Sequence, residues 1–118
     1  WISPHSLGDL EHLGTVLSRA QLFARINPVH TGTPGEVERV LAAGARVVMV
    51  PMVQSQAEAA EAAAIVDGRA VTVALVETAT GLSRLDEICG VAGIDEVHIG
   101  LNDLALSLRL PSRWAVLA

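Results

Sequence analysis

Four short runs of β-branched and other apolar residues, at positions 22–26, 46–50, 71–76 and 96–99, punctuate the chain. Such runs, bounded by polar and turn-forming residues, read as buried strands. The near-continuous apolar character of Val47-Val48-Met49-Val50 suits a parallel sheet covered on both faces, because a half-exposed antiparallel strand would alternate. Between the runs the apolar positions return every three or four residues, the spacing of an amphipathic helix. Thr33-Pro34-Gly35-Glu36 combines an N-cap threonine, a proline at the first helical position and a glutamate placed to complete a capping box, and Gly44 ends that helix. Ser55-Gln56-Ala57-Glu58 opens an alanine-rich helix that closes near Gly68. Leu82, Leu85, Ile88 and Cys89 mark a third apolar face, an earlier helix covers 7–17, and a short one covers 104–108.

Arg25, Pro51, Glu77 and Asp103 close the four strands, and successive members lie 26 positions apart. A fixed βα period delivers every strand's last residues to one edge of the sheet, because right-handed crossovers keep parallel strands in one direction. Two architectures accept four such units: an eight-stranded barrel with its functional groups on the C-terminal rim, or an open doubly wound sheet with a crevice at its switch point. The barrel is favoured, because no Gly-x-Gly-x-x-Gly turn follows the first strand and capable side chains end several consecutive strands. The expected fold is α/β, about four βα units from the central part of a (β/α)8 TIM barrel. Residues 1–118 would form a single partial domain, a fragment of a longer chain.

Composition narrows the classes. Half of the 118 residues are apolar, as in a globular core, and no apolar run reaches the roughly 20 residues that cross a bilayer. A soluble protein with no membrane partner is expected. The formal net charge of −5 is dispersed, with no basic stripe for nucleic acid. Cys89, the single cysteine, excludes an internal disulfide and a cysteine-based zinc site; it fits a reducing cytoplasm and reads as a buried core thiol.

Glu77 and Asp103 each follow an apolar run, where an unpaired charge is costly. Two carboxylates with open coordination positions suit a hard divalent ion; equally, both could cap the helices that follow. Arg25 could clamp a carboxylate or steady an enolate oxygen, or form an ion pair with Glu77 or Asp103. Gly100-Leu101-Asn102 could offer backbone amides to a substrate carboxylate, against the plainer reading of an ordinary βα turn. His5, His12, His30 and His98 show no zinc-site spacing; His30 could reach the rim from its loop, and His98 reads as a hydrogen-bonded barrel residue. Asn27 and Gln54 could orient substrate oxygens, and Trp1 and Trp114 read as packing or interface residues.

The strand ends spell Phe23-Ala24-Arg25-Ile26-Asn27-Pro28, Val48-Met49-Val50-Pro51-Met52-Val53, Ala74-Leu75-Val76-Glu77-Thr78 and His98-Ile99-Gly100-Leu101-Asn102-Asp103-Leu104. From about Phe23 to Leu108 this order and spacing resembles the HpcH/HpaI aldolase and citrate lyase β-subunit family. The resemblance implies a phosphoenolpyruvate/pyruvate-type barrel with Arg25 beside the substrate and Glu77 and Asp103 on a catalytic Mg2+ or Mn2+. It further implies carbon–carbon cleavage of a 2-oxo acid or acyl-CoA substrate through an enolate, in a protein that assembles as a homo-oligomer at full length. Departures accompany it. Leu75 stands where the aldolase branch has glutamine, Arg109 where members often have glycine, and the aldolase branch's early Glu-His element has no clear match. Two other readings stay open: a catalytically inactive barrel piece serving as a subunit or binding module, and an open sheet binding a phosphorylated ligand at Arg25 and the Gly100 loop.

Overall fold

The computed structural model describes residues 5–118; Trp1 lies outside them. The elements alternate in the expected order. α1 (Leu7–Val16), β1 (Leu22–Arg25), α2 (Thr33–Ala42), β2 (Ala45–Val50), α3 (Gln56–Val66) and β3 (Val71–Val76) are followed by α4 (Ala79–Ser83), α5 (Leu85–Cys89), β4 (Glu96–Ile99), α6 (Leu101–Ser107) and a terminal 3₁₀ turn (Arg113–Leu117). No helix among the described residues is long and apolar enough to cross a membrane.

The strands form one sheet in the order β1-β2-β3-β4, and every neighbouring pair is parallel. This order decides between the two architectures. An open doubly wound sheet reverses its order at a switch point, whereas consecutive crossovers of one hand set every helix on the same face. The four described strands show no reversal, and the layer of apolar residues on one face joins strand and helix side chains. There Val48, Val50, Ala74 and Val76 meet Val37 and Val40 of α2, Ala59, Ala62 and Val66 of α3, and Ile88 of α5. The small α3 side chains allow that helix a close approach to the sheet. Ile88 is fully buried, which contributes roughly 2–3 kcal/mol.

The opposite face is concave. Register places Phe23 and Arg25 beside Val47 and Met49, and Met49, Val73 and Leu75 form a small apolar cluster of their own. Phe23 on β1 and His98 on β4 stack with ring centroids 6.4 Å apart. Strands three places apart in a flat sheet are separated by about 14 Å, so this contact requires the sheet to curl toward closure. His98 also approaches Glu96 to 3.4 Å, and its side chain is about half exposed.

Several local expectations are corrected. Thr33 is the first residue of α2, and Gly32 takes the N-cap position. The Thr33 hydroxyl instead accepts from the His30 amide at 2.8 Å, while Glu36 leaves the capping box to accept from the backbone and side-chain amides of Asn27. Tying down the β1–α2 loop outweighs the local cap. The third apolar face is broken into α4 and α5 at Arg84, whose backbone (φ −115°, ψ 20°) is not helical. Cys89 is exposed, because α5 is only five residues long and Ile88 occupies its inward position. α6 starts at Leu101, not at 104, so Asp103 lies in a helical first turn four residues beyond β4.

Candidate functional site at the C-terminal rim

Three of the four residues on the 26-position beat stand at the strand ends. Arg25 is the last residue of β1, Pro51 follows β2, and Glu77 follows β3. Backbone hydrogen bonds continue the ladders past these ends and hold the loops against the rim: Ile26 donates to Met49 O, Val53 to Leu75 O and Gly100 to Val76 O.

Glu77 is 6% exposed. Its Oε1 accepts the Met52 amide at 3.1 Å. That amide is presented by an unusual backbone, since Met52 has φ 58°, the left-handed region that costs a non-glycine residue roughly 1–2 kcal/mol. Burial raises the Glu77 carboxyl above its ordinary range. The Met52 hydrogen bond opposes this, the side-chain hydrogen bond and negative charge of Asp103 add to it, and the charge of Arg25 opposes it. Arg25, Glu77 and Asp103 therefore lie near enough to act on one another.

Their neighbours bear on the alternatives left open for these residues. The helix after Glu77 is capped by Thr78, whose hydroxyl accepts the Gly81 amide at 3.1 Å, so Glu77 is not a cap. α6 has Gly100 at its N-cap and no side-chain cap bond; Asp103 sits in its first turn, where the helix dipole favours a carboxylate. The ion pairs among the described residues join Arg69 to Glu38, His30 to Glu36 and His98 to Glu96, and none joins Arg25 to either rim carboxylate. Buried Glu77 with partly exposed Asp103 near it offers the donor chemistry of a hard divalent cation, which takes a few carboxylates and fills its remaining positions with water or substrate oxygens. No group of three or more His, Cys, Asp and Glu side chains that could hold a metal gathers among the described residues.

Gly100 departs from expectation in one respect. Its amide is committed to Val76 O at 2.9 Å, so it is not offered to a ligand. Leu101 and Asn102 occupy the first turn of α6, whose amides lack intrahelical acceptors, and the Asn102 side chain accepts from Arg113 at 3.4 Å. Arg113 also lies over the ring of Trp114 at 4.7 Å, leaving Trp114 largely exposed. The other loop residues serve their own loops: His30 Nδ1 accepts the Gly32 amide, and Gln54 accepts from the Thr78 hydroxyl while its amide donates to Glu58. A cavity of about 460 Å³ runs beside β1 between α1 and α2, lined by Phe23, Arg25, His5, Glu36 and Arg39 among others. It reaches Arg25 but neither carboxylate. Sequence reasoning missed Met52, because a methionine in the left-handed region carries no compositional signal.

The HpcH/HpaI aldolase/citrate lyase family model matches residues 9–115. The chain belongs to this family. A hydroxypyruvate/pyruvate aldolase from Rhizorhabdus wittichii is 30% identical over 119 residues, covering 78% of this chain and 46% of that protein. Among solved structures, the HpcH/HpaI aldolase from Desulfitobacterium hafniense DCB-2 superimposes with a TM-score of 0.77 at 21% identity, over 95% of this chain and 55% of the other. The citrate lyase beta subunit complexed with oxaloacetate and magnesium from M. tuberculosis gives a TM-score of 0.57 at 29% identity, over 75% and 38%. The chain spans about half the length of the curated relatives it matches. Within the family fold its four βα units are part of a (β/α)8 barrel, and the rim bearing Arg25, Glu77 and Asp103 is the C-terminal one, where barrel enzymes place their chemistry.

Proposed function

We propose that this chain carries the metal- and substrate-binding rim of a carbon–carbon lyase that acts on a 2-oxo acid through an enolate, with an acyl-CoA thioester as the second substrate class. The observation that carries the reading is buried Glu77, held by the Met52 amide, with Asp103 and Arg25 near enough to act on its carboxyl. Glu77 and Asp103 would hold Mg2+ or Mn2+, and a magnesium ion with oxaloacetate in a citrate lyase relative supports this choice of ion and substrate class. When bound, the divalent ion supplies Lewis-acid polarisation of the substrate carbonyl.

The chain's own residues do the rest. The permanently charged Arg25 guanidinium orients the substrate carboxylate and shares the negative charge that develops on the enolate oxygen as the carbon–carbon bond breaks. The amides of Leu101 and Asn102, at the positive end of α6, contribute to holding the substrate carboxylate. The apolar concave face formed by Met49, Val73 and Leu75 closes the floor beneath the rim and keeps water from below, which strengthens these electrostatic contacts. The full-length protein would be a homo-oligomer, and residues 1–118 one partial barrel domain.

Enolate formation can be measured without knowing the cleaved substrate. Methyl hydrogens of pyruvate in D2O with Mg2+ should exchange for deuterium in the NMR spectrum, and the exchange should vanish with EDTA and in Arg25→Ala. Exchange that persists in Arg25→Ala and with EDTA would reject the proposal; exchange of acetyl-CoA alone would select the thioester class.

A further inference from the structure

Gly100 has φ −84° and ψ 90°, a conformation any L-residue adopts, so the glycine is not there for backbone freedom. It is there for space. A Cβ on residue 100 would lie 2.6 Å from Glu77 Cβ and 2.8 Å from Glu77 Oε2, distances at which something must move. On its other side the same carboxylate is held by the Met52 amide at Oε1, delivered by the left-handed turn that follows Pro51.

We infer that Met52 and Gly100 are positioning residues that lock the Glu77 side chain between two pieces of backbone, fixing the orientation in which its carboxylate would face a divalent cation. This inference rests on the proposal that Glu77 is a metal ligand. The backbone of Gly100 cannot retreat easily, because its amide is tied to Val76 O at 2.9 Å, so an added methyl group pushes the carboxylate instead. Met52 is different: its side chain is partly exposed and the contact with Glu77 uses only the amide. The lock therefore depends on backbone geometry at 52 and on the absence of a side chain at 100.

The test is Mn2+ titration of the full chain by calorimetry, with thermal melting of each metal-free variant and infrared difference spectra of the carboxylate bands on metal addition. Gly100→Ala should weaken Mn2+ binding by about tenfold or more, the effect expected when a group that orients a ligand is disturbed, while the variant still melts cooperatively. Met52→Val, β-branched and unsuited to that left-handed turn, should weaken Mn2+ binding as well. The infrared difference spectrum should carry carboxylate bands that Glu77→Gln removes and Gly100→Ala shifts. Loss of binding in Glu77→Gln with unchanged binding in a folded Gly100→Ala overturns the lock alone. Undiminished binding in Glu77→Gln overturns the underlying metal-ligand reading.

Discussion

Replacing Glu77 by glutamine should make the metal-free protein more stable at neutral pH and, at the same time, deaf to metal. When both are ionised, the negative charge of Asp103 repels that of Glu77 by roughly 4 kcal/mol at an effective dielectric of about 20. The Met52 amide returns a charge-assisted hydrogen bond of about 1.5–3 kcal/mol, and Arg25 offsets a further part. Repulsion wins narrowly, so removing the charge while keeping an acceptor for Met52 should stabilise by about 1–2 kcal/mol, on the order of 4–8 °C in melting temperature for a chain this size. The pH dependence has a definite sign. Burial and Asp103 raise the folded-state pKa of Glu77 above its ordinary 4.5, so the stability it contributes is fully present below that value and is lost as pH rises through the folded pKa. The parent and Glu77→Gln should therefore melt alike in mild acid and diverge toward neutrality. Mg2+ at a hundred times its dissociation constant should raise parent stability by about 2.7 kcal/mol and leave the variant unchanged. Thermal melts followed by circular dichroism from pH 4 to 8, with and without Mg2+, read all of this. A Glu77→Gln chain that is less stable than the parent at pH 7 without metal would refute the claim that the rim is held against its own repulsion.

Other consequences concern the frame around the site. Arg109 has φ 55° at the end of α6, where its amide donates to Leu106 O and that of Leu110 to Ala105 O. That is the paired bonding of a helix stop that favours glycine, so Arg109→Gly should stabilise by about 1 kcal/mol; a lower melting temperature would contradict it. Ile88→Ala, opening a cavity between α5 and the sheet, should cost about 2–4 kcal/mol in urea unfolding, and a loss below 1 kcal/mol would mean that this layer is poorly packed. Arg25→Lys keeps the charge but loses the planar fork, and should slow pyruvate deuterium exchange by at least about tenfold; a rate equal to the parent's would remove the clamp role.

The fold was legible because two signals agreed. The apolar runs marked the strands, and the 26-residue interval required a common direction, so the parallel order and shared rim followed from connectivity. Glu77 was legible for a related reason: a carboxylate closing the run Val73-Ala74-Leu75-Val76 has to be buried, and it is. Asp103 was identified by interval, but its setting was misjudged, since α6 begins three residues earlier than the apolar spacing suggests and carries it within the helix.

What escaped the sequence depends on contacts distant along the chain. Glu36 completes no capping box because Asn27, nine residues earlier, takes its oxygens. Cys89 faces outward because the helix breaks at Arg84, and nothing in the spacing of Leu82, Leu85 and Ile88 announces that break. Gly100 read as a residue opening its backbone to a ligand, whereas its amide is spent on Val76 and its missing side chain makes room for Glu77. The Met52 turn is set by the demand of a buried carboxylate 25 residues away.

The central claim is that Glu77 and Asp103 together hold a divalent metal that a 2-oxo acid then completes. Calorimetric titration of Mg2+ into the folded chain, with and without oxaloacetate, beside Asp103→Ala, tests it most directly. The account predicts binding that oxaloacetate strengthens and that the variant loses in both conditions; parent-like affinity in a folded Asp103→Ala, or no binding by the folded parent chain, would contradict it.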